Sequence, residues 1–485
     1  MSDLNNARLI SSNFVWRLLE RCGAQGVTFV VSIILARLLD PKAYGIVALV
    51  TVFTTIMQVF VDSGLGNALI QKKDSDDVDF SSVFYFNILV CIIIYCVMYF
   101  MAPTISRFYK MEELTPIIRV MSLTIVISGV KNIQQAYVSK HMLFKKFFYA
   151  TVVGTIGAAV IGIVLAYLGY GVWALVLQNI FNVFVDTMML WILVKWRPKL
   201  VFSIDRLKKL INYGYKILFS TLLDTIYNDL RQLVIGKIYS SDSLAYYNRG
   251  QQYSSVFVSN INVSMDSILL PVLSSKQDNE IELRNYTKQA IKISTYVMMP
   301  LMMGLAVCAE PIVELTLTSK WIDTVFFLRV FCFNYAFYPM HTANLNAIKA
   351  SGRSDIILKI EIIKKIVGFA ALFSTMFISI KALALSMVIT TIFNVIINAY
   401  PNKKIINYGV KNQIIDVLPN IVICVGMGVI TYSLGFLSVH MLVKLLIQII
   451  AGISVYIVFS IFSKNDSYYR LVSIINGFKH NRKCL

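Results

Sequence analysis

The chain has 485 residues, of which 57% are hydrophobic and only 15% charged, with a mean hydropathy of +0.68. That charged share is well below the roughly one quarter of a soluble globular chain, which excludes an ordinary water-soluble fold and predicts that most of the surface faces lipid. The net charge of +19 would suggest nucleic acid in a soluble protein, but here Lys and Arg lie between apolar runs and report membrane topology instead.

In chain order, a polar start over 1–13, with no small-residue cleavage site after the first apolar run, predicts an uncleaved first helix over 14–36. Apolar runs of spanning length then predict helices over 43–65, 80–104, 116–136, 149–168, 172–194 and 213–238, followed by 244–271, 288–308, 325–348, 357–378, 382–400, 416–435 and 442–463. With the N-terminus inside, the cytoplasmic segments hold 26 Lys and Arg and the opposite segments six. This asymmetry predicts an all-α membrane protein of about fourteen spans with both ends cytoplasmic. The longest outer segment, 309–324, has no room for a soluble catalytic or receptor domain, so function is expected between the helices. The tail over 464–485 reads either as an amphipathic helix on anionic lipid or as a disordered basic end.

An internal duplication runs through this pattern. Asp62, Ser63, Leu65, Leu69, Lys72 and Asp74 recur as Asp266, Ser267, Leu269, Leu273, Lys276 and Asp278 at an offset of 204. Asp40, Ala43 and Tyr44 recur as Asp242, Ala245 and Tyr246, Pro103 as Pro311, and Arg119-Val120 as Arg329-Val330. Helices 1–6 and 7–12 therefore read as parallel repeats about an axis along the membrane normal, one of the transporter layouts. The expected division is an N-terminal lobe over 1–205, a C-terminal lobe over 206–405, helices 13 and 14 over 406–463, and the tail.

In such a layout the substrate pathway runs between the lobes, and polar residues deep in spans are the candidates to line it. In the seventh helix Lys216, Ser220, Asp224, Tyr227 and Arg231 fall within about 80° of one face. The eighth carries Arg249, Tyr253, Asn260, Ser264 and Ser267 on a common face. The first holds Arg17, Glu20 and Arg21 near its cytoplasmic end. Arg17 and Lys216 are equally well placed to snorkel to the headgroups, and Glu20 to form a helical ion pair. Asp224 is expected to couple an ion or to hold Arg231, and Glu20 and Asp186, the latter deep in the sixth helix, are further ion-coupling candidates. Asp62 and Asp266 are read as braces of their helix ends. Seven scattered cysteines and four distant histidines give no zinc spacing or disulfide framework, so no metal is expected. No glycine-rich motif ends in Gly-Lys-Ser/Thr, which argues against ATP-driven pumping.

The run Ser12-Asn13-Phe14-Val15-Trp16, the turn Ala36-Arg37-Leu38-Leu39-Asp40-Pro41-Lys42-Ala43-Tyr44-Gly45 and Gly64-Leu65-Gly66-Asn67-Ala68-Leu69-Ile70-Gln71 resemble the polysaccharide-transporter flippases. These are the Wzx or WzxC type of the multidrug/oligosaccharidyl-lipid/polysaccharide (MOP) superfamily. Glu310-Pro311-Ile312, Lys320-Trp321 and Gly352-Arg353 are similar to that family's second half. The second copy departs from the turn motif, with Ser243-Leu244 in place of Pro41-Lys42 and Tyr247 in place of Gly45.

The resemblance implies a MATE-like, two-lobed flippase of the bacterial inner membrane and not an enzyme. It would move undecaprenyl-diphosphate-linked oligosaccharide to the outer leaflet by alternating access, for surface polysaccharide assembly. Arg21, Arg231 and Arg249 would attract the diphosphate, and Tyr227, Tyr253 and Asn260 would line the sugar path. No cofactor is expected beyond a proton or sodium gradient. The expected partners are the lipid-linked substrate, membrane lipids, and the polymerase and glycosyltransferases of the same pathway, with no nucleic acid. The alternatives are a MATE-type exporter of small cations, a peptidoglycan-precursor flippase, and a membrane polymerase or ligase.

Overall fold

The structure, a computed structural model, describes residues 23–62, 64–72 and 74–481. All regular secondary structure among them is helical, and the chain divides into two compact units, Met1–Ala245 and Tyr246–Leu485.

The first unit holds α1 (Gly23–Leu38), α2 (Pro41–Asp62), α3 (Leu65–Gln71), α4 (Asp77–Tyr109), α5 (Leu114–Met121), α6 (Leu123–Lys140), α7 (Phe144–Tyr167), α8 (Val172–Leu193) and α9 (Ile204–Ile238). It ends with the first residues of α10 (Ser241–Ser274). The second unit continues with α11 (Glu280–Val307), α12 (Ala309–Leu317), a 3-10 turn (Ser319–Trp321), α13 (Thr324–Ala336), α14 (Tyr338–Ala350), α15 (Ser354–Thr375), α16 (Ile380–Ala399), α17 (Asn402–Ile405), α18 (Val410–Ser433), α19 (Met441–Phe462) and α20 (Asp466–Asn481).

Among the described residues nine helices are long and apolar enough to cross a membrane, and the chain is a multi-pass membrane protein. Its packing is inverted relative to a soluble bundle. In α19 the buried stripe is Gln448, Gly452, Tyr456 and Ser460, while Leu446, Ile450, Ile453 and Ile457 stand exposed. With lipid as solvent, small and polar residues gain by facing protein and aliphatic ones lose nothing by facing outward. In α7 the residues Ala150, Gly154, Ala158, Gly162 and Ala166 recur every fourth position on the buried face. That smooth stripe lets α8 approach closely, so a Cβ on Gly162 would meet the Gln178 side chain at 2.9 Å.

Three predicted spans are broken. The predicted helix over 43–65 ends at Asp62 and restarts at Leu65, because Gly64 adopts a left-handed φ of 68°. A Cβ there would also lie 2.7 Å from the Gly214 carbonyl oxygen, so two independent constraints require glycine. The spans predicted over 116–136 and 325–348 are each split, at Ser122 and at Phe337. The helix predicted from 213 begins at Ile204, because Leu207 and Leu210 are buried while Asp205, Lys208 and Lys209 face out, an amphipathic start that a hydropathy threshold misses.

Prolines inside the spans leave carbonyls that neighbouring helices satisfy. Pro103 lacks the N–H that would bond the Tyr99 carbonyl, and Arg119 Nε on α5 donates to that oxygen at 3.3 Å. Pro300 likewise frees the Tyr296 carbonyl, to which the Tyr456 hydroxyl donates at 2.7 Å, while the Tyr296 hydroxyl donates to Ser460 Oγ at 2.8 Å. Asn420 Nδ2 on α18 donates to the Lys292 carbonyl at 3.0 Å, and Asn465 Nδ2 donates to Asn420 Oδ1 at 3.0 Å. The C-terminal helices are thus fastened to α11 by buried polar bonds.

The segment between α8 and α9 is pinned to the start of α4. Trp196 Nε1 donates to Asp77 Oδ1 at 3.1 Å, the Ser203 N–H donates to Ser82 Oγ at 2.9 Å, and Arg206 Nη1 reaches both Asp76 carboxylate oxygens at 2.6 Å. The guanidinium holds the Asp76 carboxyl down at about 2, below its usual 3.8. A carboxylate depressed in the folded state contributes stability above pH 3.8 that is lost as pH falls toward about 2. Arg206→Ala is therefore expected to give a small loss of thermal stability at neutral pH, small because the pair is exposed. The gap from the native protein should close across that acidic window in detergent melts.

Candidate functional site

The longest helix among the described residues, α9, has 35 residues, about 52 Å at 1.5 Å per residue, and like α10 it is too polar to stand among the nine apolar spans. Lys216, Ser220 and Asp224 are exposed, while Tyr227 and Arg231 are partly buried. One turn further in, Asp229 accepts from Gln232 Nε2 at 3.1 Å. Within a bilayer, ionised side chains are tolerated only against protein or water, so this is not a face that lipid could cover.

On α10, Arg249 is 4% exposed. Its Nη1 donates to Gln252 Oε1 at 2.5 Å, and the guanidinium lies 5.6 Å over the buried Trp321 ring. Tyr253 shares a 2.8 Å hydrogen bond with Thr316. Both side chains therefore face the corner formed by α12 and the 3-10 turn. Arg17, Glu20 and Arg21 lie outside the described residues, as does the side chain of Asn260.

Asp186 has a partner that the sequence did not single out. Lys131 Nζ on α6 lies 2.9 Å from Asp186 Oδ2 on α8, with both side chains 16% exposed. The signal for it was a lysine in the middle of a helix whose first half is apolar. In the second unit, Asn398 Nδ2 and His341 Nδ1 are hydrogen-bonded at 2.8 Å; these residues lie 212 and 210 positions after Asp186 and Lys131.

A second contact recurs. Asn132 Nδ2 on α6 donates to Asp62 Oδ1 at the end of α2 at 3.0 Å, and Asn346 Nδ2 on α14 donates to Asp266 Oδ1, two turns before the end of α10, at 2.7 Å, so each Asp ties its helix to a later helix of the same unit. A third pairs Arg119 Nε with the Tyr99 carbonyl at 3.3 Å and Arg329 Nε with the Ala306 carbonyl at 3.2 Å. On α15, Lys364 Nζ lies 2.6 Å from Glu361 Oε1, another pair that hydropathy alone passed over.

Residues 34–326 match the family described as polysaccharide biosynthesis protein. The succinoglycan biosynthesis transport protein ExoT of Rhizobium meliloti (strain 1021) is 23% identical over 321 residues, 66% of this chain and 65% of ExoT; the match thus spans just under two thirds of that relative's length. The lipopolysaccharide biosynthesis protein WzxC of Escherichia coli (strain K12) is 21% identical over 347 residues, 70% of this chain and 69% of WzxC. Among solved structures, the lipid II flippase MurJ in an inward closed conformation superposes with a TM-score of 0.76 at 16% identity, covering 93% of this chain and 99% of MurJ. At that identity the likeness shows a shared fold.

Proposed function

The chain belongs to the polysaccharide biosynthesis protein family, and we propose that it is a flippase of the bacterial inner membrane that moves undecaprenyl-diphosphate-linked oligosaccharide to the outer leaflet for surface polysaccharide assembly. The observation that carries this reading is the charged face of α9. A sugar diphosphate cannot cross hydrocarbon unaided, and Lys216 and Arg231 offer it cations on a surface that lipid cannot cover. Tyr227, Tyr253 and Asn260 line the sugar path, and Arg249, beside the Trp321 ring, adds to the positive field. Arg17 and Arg21 serve the cytoplasmic mouth.

The chain crosses the membrane fourteen times, with both ends inside. To the nine apolar spans we add α1, α9, α10, the α13–α14 pair and α15, the last four being polar or broken. The recurring Asp–Asn, Arg–carbonyl and 131–186/341–398 contacts support two parallel six-helix repeats followed by α18 and α19, and alternating access follows from rocking one repeat against the other. Transport is driven by a proton or sodium gradient, with Asp186, Asp224 and Glu20 as the coupling carboxylates.

Arg231→Ala is expected to slow flipping of a fluorescent lipid-linked oligosaccharide in proteoliposomes about tenfold or more, the worth of one charge-assisted phosphate contact. A stably inserted variant that flips at the native rate removes Arg231 from the pathway.

A further inference from the structure

At the end of the second unit away from Lys288, Lys292 and α20, a cavity of about 100 Å³ opens between the α11–α12 corner, α13 and the α18–α19 hairpin. It has room for a group the size of a few water molecules. Its lining brings together Glu310, Arg329, Lys444 and Gln448, two cations and an anion from three separate elements.

Arg329 is anchored through Nε on the Ala306 carbonyl at 3.2 Å, which leaves its Nη donors for a ligand. Gln448 is 2% exposed. Its Nε2 donates to the Thr431 carbonyl at 3.1 Å, yet its Oε1 is buried with no hydrogen-bond partner among the described residues. A buried acceptor left unmatched is costly, so this oxygen calls for a donor. The lining also has exposed apolar groups, Phe436 at 76% and Tyr432 at 51%, as a cavity mouth at the boundary between acyl chains and headgroups would have.

We propose that this cavity binds the headgroup of an ethanolamine phospholipid. The phosphate pairs with Arg329 and Lys444. The primary ammonium donates to Glu310 and to Gln448 Oε1, and the acyl chains run along the exposed aliphatic face of α19. A choline headgroup has the same charges but no N–H to give, and a glycerol headgroup has no cation for Glu310.

Native mass spectrometry of the full-length protein with added phosphatidylethanolamine, phosphatidylcholine and phosphatidylglycerol tests this. Phosphatidylethanolamine should be retained about tenfold better than phosphatidylcholine, the worth of one charge-assisted hydrogen bond. Glu310→Gln should abolish most of that preference, and Lys444→Ala, which removes a phosphate contact common to both lipids, should weaken retention of both; each residue is near the surface. Equal retention of the ethanolamine and choline lipids by the native protein, or preference for phosphatidylglycerol, overturns the assignment without reliance on any variant. Unchanged retention in both folded variants also overturns it. Displacement by soluble glycerophosphoethanolamine at equal concentration would show a free headgroup, not a lipid, to be the ligand, and would overturn it as well.

Discussion

Lys131→Met is expected to unfold the first unit or sharply lower its yield, because it strands the Asp186 carboxylate in the middle of a span. The Lys131–Asp186 pair sits at 2.9 Å with only 16% of each side chain exposed. Removing one partner of such a buried pair costs on the order of 3–5 kcal/mol, whereas replacing both with apolar residues is often neutral. The double variant Lys131→Met, Asp186→Leu should therefore recover most of the lost thermal stability. The second unit already tolerates a neutral His341–Asn398 contact at the related positions, which supports that expectation. The double variant also separates bracing from coupling: if Asp186 carries the driving ion, the recovered protein will bind substrate but lose its response to an imposed gradient. Native-like melting of the single variant would show that the pair is not buried as described.

Gly45→Ala is the second change with a large expected effect. An added Cβ would lie 1.8 Å from the Ser241 carbonyl oxygen and 2.4 Å from its carbon. Both are backbone atoms, so no side chain can swing away, and α2 must shift relative to the start of α10. Overpacking against a side chain costs about 1–3 kcal/mol; against backbone the cost should reach or exceed the top of that range, measured as a lowered melting temperature in detergent. The related position in the second half is Tyr247, which is 3% exposed and stacks edge-on against Phe331 with centroids 5.0 Å apart. Tyr247→Gly should destabilise by the opposite mechanism, a cavity, so the two positions resist being made alike.

What the sequence made legible follows from the range of the signal. Apolar runs and the Lys and Arg between them are local, and they marked the described spans from α2 to α19 before any contact was known. The breaks are also local but depend on conformation: the left-handed φ of Gly64 and the Gly214 backbone against it are visible only in three dimensions. Partnerships across tens of residues were not legible. Nothing near Asp186 points to Lys131, and nothing near Pro300 points to Tyr456, which completes the carbonyl that proline leaves open. Arg249 stands out in the sequence as a charge in a long helix, but the ring of Trp321 beside it comes from a turn more than seventy residues away.

The central claim is translocation itself, and reconstitution of the purified chain in proteoliposomes with a defined undecaprenyl-diphosphate-linked oligosaccharide in one leaflet measures it most directly. The proposed function predicts that the sugar becomes accessible to an added glycosidase on the far side at a rate that an imposed proton or sodium gradient changes. A stably inserted protein that leaves the sugar where it started, yet clears small cationic drugs from the vesicle lumen, would contradict that prediction.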